Sequence, residues 1–174
     1  RKLVIESEEK MDFHSHKTMD RILILLKKPQ TMSQLLDFAL LIHPKKSSEP
    51  LYPMSVVLDG GNIEENVIKS ENLLTKAMTR TISANKSAYP ITKIEMNLHN
   101  AVNKAIKEYR ISKVIMGLGN AKKLQGKLVS SILEQYISSS NEMVFLVRIT
   151  QPLNIMNRLI VILPPLITKQ NGFI

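Results

Sequence analysis

The sequence contains no cysteine in 174 residues. Disulfide frameworks and thiolate chemistry are therefore excluded, and the composition fits a reducing compartment. Tryptophan is also absent, and aromatic residues make up only 5%. Nucleic-acid binding calls for stacking aromatics or a dense basic stripe, and with neither present no nucleic-acid partner is expected. No apolar run approaches the roughly 18 residues that would span a bilayer. A signal-peptide pattern is missing too. The chain opens on Arg1 rather than Met, and residues 1–10 are charged and polar, so it reads as a piece cut from something longer.

What is present is ordinary for a globular domain: 44% hydrophobic residues, 22% charged residues and a net charge of +9. The basic residues are spread thinly, with pairs at Lys27-Lys28, Lys45-Lys46 and Lys122-Lys123. Solvated lysine faces explain most of this charge, and closeness to anionic lipid headgroups is the functional alternative.

Hydrophobic patterning supplies the architecture. Residues 22–26 are a continuous aliphatic run after Arg21, as in a strand buried on both faces of a parallel sheet. A helix is predicted over 34–43, with Thr31 or Ser33 as its cap, and Pro44 marks its stop. Residues 45–53 read as loop, 54–58 as the second strand, and Asp59-Gly60-Gly61 as the turn that ends it. A long helix spans 63–83, its apolar face drawn from Ile63, Val67, Leu73, Leu74, Ala77, Met78 and Ile82. A strand at 91–96, a helix at 101–109 capped by Asn97 or Asn100, and strands at 111–116 and 142–147 follow. Strict alternation of this kind predicts an α/β fold: a five-stranded, parallel, doubly wound sheet, of flavodoxin-like or related order, with right-handed crossovers. Ligands in such sheets bind at the carboxyl ends of strands, where the strand order reverses.

Residues 113–134 are the stretch with a site-like layout. A short apolar run ends at Gly117, a loop carries Gly119, Asn120, Gly126 and three lysines, and Ser130 and Ser131 precede a helix-like segment at 132–137. Glycines admit a close-lying ligand, and a helix N-terminus offers free N–H groups, so this is the form of a phosphate cradle. A plain βα connection with solvated lysines has the same spacing. If the first and fourth strands are neighbours, this loop faces residues 27–31.

Chemistry beyond binding finds little support. His14 and His16 lie near Glu8, Glu9 and Asp12 but not at a ligand spacing, so no metal is expected. Asp59 reads as a turn residue, Glu95 as solvent-facing, and His43 and His99 as element-end histidines. No nucleophile–base or carboxylate pair stands out, and no catalytic residue is assigned. Farther on, 157–164 (NRLIVILP) echoes 20–26 (DRILILL) about one domain later, like the first strand of a second copy. The domain expectation is a lead-in at 1–19, one domain at 20–150, and the start of a truncated repeat at 151–174.

Together these residues resemble the universal stress protein family, within the adenine nucleotide alpha hydrolase-like folds, over about residues 20–148. Nucleotide-binding members of that family carry G-x-x-G, nine residues, then G-S/T. Here Gly117 and Ser131 match, while Asn120 and Ser130 replace glycines. The family's first strand usually ends in an Asp that helps hold the nucleoside, and Lys27 stands there instead. The resemblance implies a degenerate cofactor-binding set of Gly117, Gly119, Asn120, Ser130, Ser131 and Lys27, with ATP or another adenine nucleotide as the ligand class. Lysine cannot accept a hydrogen bond from a ribose hydroxyl, and it attracts anions instead. The tandem echo further resembles the cytoplasmic tail of bacterial sodium (or potassium)/proton antiporters. That resemblance implies a non-catalytic regulatory domain at the cytoplasmic side of the cell membrane, partnered by the transporter's membrane domain and by a second copy in a homodimer. The alternative is a soluble ATP- or AMP-binding universal stress protein.

Overall fold

A computed structural model describes residues 20–118, 142–149, 151 and 153–155. Among the described residues the elements run β1 (Ile22–Leu25), α1 (Pro29–Ile42), β2 (Leu51–Leu58), α2 (Ile63–Ser83), β3 (Ile91–Glu95), α3 (Leu98–Tyr109), β4 (Lys113–Gly117) and β5 (Met143–Val147), with a 3-10 turn at Leu153–Ile155. All five strands are parallel, in the order β3-β2-β1-β4-β5. The expected α/β doubly wound sheet is thus present, in an order related to the flavodoxin type rather than identical to it. The chain moves outward from β1 to β2 to β3, then returns across the sheet to β4, so the order reverses between β1 and β4.

Both faces of the sheet are covered, which is why its central strands read as unbroken apolar runs. Side chains alternate along β1: Ile22 and Ile24 join Leu35, Leu36, Ala39 and Leu74 beneath α1 and α2. Leu23 turns to the other face, with Tyr52, Met54, Val102 and Val114 beneath α3. The two outward crossovers share one face and the return crossover takes the other, as a constant crossover hand requires. No helix among the described residues is long and apolar enough to cross a membrane.

Several local expectations change. Helix α1 starts at Pro29, not residue 34, because proline's fixed φ suits the first helical position and its missing N–H costs nothing there. Neither Thr31 nor Ser33 is the cap. The cap position is Lys28, in extended conformation with no side-chain hydrogen bond, and Thr31 Oγ1 instead donates to the Lys28 carbonyl at 3.3 Å. Strand β2 begins at Leu51 and includes Pro53. Leu51 directs both its N–H and its C=O toward Ser87 and Tyr89, so alternation points the Pro53 nitrogen the same way, ahead of Met54 where β3 pairing begins. No ladder hydrogen bond is lost there.

Two further changes concern which side chains are covered. Glu95 is not solvent-facing: its side chain is 16% exposed and pairs with Lys104 at 2.5 Å, while Ile94 is 51% exposed. On the edge strand the charged residue turns toward α3 and the apolar one outward. On α2 the buried stripe is Ser70, Leu73, Leu74, Ala77 and Thr81, and Ile82 is exposed. Helix α3 also starts earlier than expected, at Leu98 rather than 101, and Asn97 is confirmed as its cap, its side-chain oxygen accepting from the Asn100 N–H at 2.8 Å. The expected helix at 132–137, the lead-in at 1–19 and the repeated strand at 157–164 lie outside the described residues.

Candidate functional site

The site is built by the strand order. β1 and β4 pair with Leu25 opposite Met116, so the next residues of both strands, leading to Lys27 and Gly117, emerge side by side at the carboxyl edge of the sheet. This is the reversal point where ligands bind in open α/β sheets. Of the six residues expected at the site, the structure brings Lys27 and Gly117 to this edge. Gly119, Asn120, Ser130 and Ser131 lie outside the described residues.

Gly117 has a packing reason to be glycine. A Cβ there would stand 3.1 Å from Leu35 Cδ1, so its absence lets α1 lie close against the end of β4. Leu118 continues the edge pairing, donating its N–H to the Val147 carbonyl at 2.8 Å.

Beside Lys27 a cleft of about 590 Å³ opens between the end of β2 and helix α2, within the range of small-molecule sites. The chain reaches α2 through Gly60 and Gly61, and the φ of +78° at Gly61 is a left-handed value that glycine adopts freely. Lys27, Lys69 and Lys76 line the cleft, with Ser55 and Ser70 buried beside them and no carboxylate among its described lining residues. Lys69 is engaged by Glu65 at 2.5 Å, and that contact holds the Glu65 carboxyl below the usual carboxylate range. Lys27 and Lys76 have no acidic partner among the described residues. Pro29, the first residue of α1, is part of the wall, and that helix has no acidic residue in its first turn to offset its dipole. The arrangement is a basic, half-open cleft suited to an anion.

Sequence reasoning identified Lys27 and missed Lys76, Ser55 and Ser70. Ser70 had a readable signal. It falls three residues after Val67 and four before Leu74, on the apolar stripe of α2, where a small polar residue is out of place.

No protein-family model matches the chain. No curated protein matches it either. Solved structures do. A universal stress protein family member from Burkholderia pseudomallei superposes with a TM-score of 0.54 at 17% identity, covering 75% of this chain and 96% of that one. The universal stress protein of Archaeoglobus fulgidus gives 0.54 at 14% identity, covering 72% and 91%. Its structure in complex with dAMP gives 0.52 at 14% identity, covering 72% and 95%. At such identities the likeness is one of fold, and the chain has the universal stress protein-like fold over most of its length.

Proposed function

We propose that the chain is a non-catalytic regulatory domain that binds an adenine nucleotide or related anion at a remodelled universal stress-type site. We place it in the cytoplasmic part of a sodium (or potassium)/proton antiporter, beside the membrane and in contact with the transporter domain and a second copy of itself. One observation carries the ligand reading. A lysine, Lys27, lies two residues beyond β1 at the reversal point and lines a cleft without carboxylates among its described lining residues, where the family's first strand ends in an Asp. The fold neighbour from Archaeoglobus fulgidus in complex with dAMP supports the adenine-nucleotide class. Exposed Ile94 and Met96 on and just beyond the edge strand β3 support a role in meeting neighbours. The antiporter context rests on the sequence echo at 157–164 and on the charged lead-in.

A second reading, a soluble ATP- or AMP-binding universal stress protein, is favoured by the retained Gly117 and Ser131 of the motif. Calorimetry of the whole chain with ATP, AMP and cyclic dinucleotides separates the two. Nucleotide binding that survives Ser131→Ala and weakens in Lys27→Ala is expected. Micromolar ATP binding abolished by Ser131→Ala transfers the case to the second reading, and steady ATP turnover defeats both. A parent reading frame without membrane helices upstream of Arg1 removes the antiporter assignment.

A further inference from the structure

Helix α2 carries five hydroxyl side chains, and four of them behave alike. Thr75, Thr79, Thr81 and Ser83 each donate to the carbonyl four residues earlier, at 2.9, 3.0, 2.9 and 2.8 Å. Ser70 is the exception. It is 4% exposed, and its Oγ has no hydrogen-bond partner among the described residues. Leaving a buried hydroxyl unpaired is costly, and the backbone acceptor that satisfies its four neighbours is available in any helix. Ser70 also lines the basic cleft.

From this we infer that the wall formed by α2 is a phosphate-binding surface for a polyphosphorylated small molecule. Ser70 Oγ donates to a phosphate oxygen, and Lys27 and Lys76 neutralise the chain of phosphates. Among the described residues two features agree: an orphaned buried donor, and two lysines without acidic partners in a cleft with no carboxylate. The uncapped amino end of α1, at Pro29 in the same wall, adds favourable potential for an anion. Lys69, already engaged with Glu65, contributes less. This goes beyond the proposed function. It shares Lys27 with that reading but puts the phosphates on α2, and it needs no residue of the stretch 117–131.

The test is calorimetric titration of the whole chain with sodium tripolyphosphate, with ATP and adenosine as companion ligands. Saturable tripolyphosphate binding is expected. Lys76→Gln should weaken it about tenfold, the loss of one charge-assisted contact. Ser70→Ala should weaken it severalfold without lowering the melting temperature, which a merely structural serine would not do. Ser131→Ala should leave it unchanged. ATP that competes with tripolyphosphate assigns the cleft to a nucleotide's phosphate tail. ATP that fails to compete assigns it to a free polyphosphate, and both results uphold the phosphate surface. Absence of saturable tripolyphosphate binding overturns the inference. So does binding that Ser131→Ala abolishes while Lys76→Gln and Ser70→Ala leave it intact. Because adenosine, which carries no phosphate, reports on the nucleotide reading alone, the two ideas fail separately.

Discussion

The amino end of the sheet and the cleft at its carboxyl end treat their polar groups differently. At the amino end nearly everything polar is matched. Arg21 donates to Glu49 Oε2 at 2.8 Å and to the Tyr109 carbonyl at 2.9 Å, and Lys113 pairs with Asp20. Buried His43 sets its two ring nitrogens 3.1 and 3.0 Å from the carbonyls of Pro44 and Glu49. Tyr52, Tyr89 and Tyr109 close the same end with ring centroids 5.5 to 5.9 Å apart. At the carboxyl end Lys27, Lys76 and Ser70 have no such partners among the described residues. Groups that satisfy one another hold the fold together. Groups left unsatisfied by the fold are the ones available to a ligand, since a buried polar atom without a partner is otherwise a net cost.

The sharpest way to break this contrast is at the matched end. Tyr52 is 6% exposed and touches both other rings, so Tyr52→Ala should cost about 3 kcal/mol in urea unfolding, the usual range for an aromatic truncated in a core. A loss well under 1 kcal/mol would show the tyrosine end to be ornamental. Arg21→Ala should cost about 1–2 kcal/mol, because Glu49 and the Tyr109 carbonyl lose their shared donor but are not fully sealed from water. Arg21→Lys should recover only part, since an ammonium lacks the fork that serves Glu49 and the Tyr109 carbonyl together.

The same end should respond to alkali. Burial, helped by Glu108, pushes the Tyr109 phenol from its ordinary 10.0 up to about 12, and burial raises Tyr52 as well. A folded-state pKa above the unfolded one gives a contribution fully present below pH 10 and lost as pH climbs toward about 12. Ultraviolet titration should show these two phenols ionising late, with the melting temperature falling over that window. Normal titration of all four tyrosines would break the packing argument.

At the other end the sign should reverse. Ser70→Ala removes an unpaired buried hydroxyl and adds helix propensity, so the free protein should gain about 1 kcal/mol in urea unfolding. A loss would mean that the hydroxyl is paired in the native state. The smallest effect is expected at Gly117→Ala, under about 1 kcal/mol. The new methyl meets the flexible tip of Leu35 at 3.1 Å, and the lowered freedom of the unfolded chain offsets part of the strain. Melting curves of the two proteins differing by more than several degrees would show that α1 cannot yield.

Much of the architecture is legible in the residues. The span of α2 matches its periodicity from Ile63 to Ser83, and strands β1, β3, β4 and β5 match their apolar runs to within two residues. The misreadings share a cause. Helix α1 begins earlier than its apolar pattern suggests, at Pro29, and β2 earlier, at Leu51 with Pro53 inside it, because a proline's effect depends on whether its nitrogen faces an acceptor, which is a matter of neighbours rather than of local sequence. Glu95 reads as solvent-facing yet is largely covered while Ile94 is exposed, because an edge strand has incomplete cover, so alternation there no longer tracks burial. At the site, Lys27 was visible by comparison with the family pattern. Lys76 was one surface lysine among many until α2 was placed beside β2.

The sequence by itself determined the kind and order of the elements, since hydrophobic period, caps and turns act over a few residues and are written locally. It also determined the chemistry available: no thiol, many lysines, a motif with two glycines replaced. Only the tertiary structure decided which strands are neighbours. That choice brings Lys27 and Gly117 to one edge, seats α2 against β2 and leaves Ser70 without a partner among the described residues. These outcomes depend on contacts between residues far apart in the chain, fixed by how the apolar faces of whole elements cover one another.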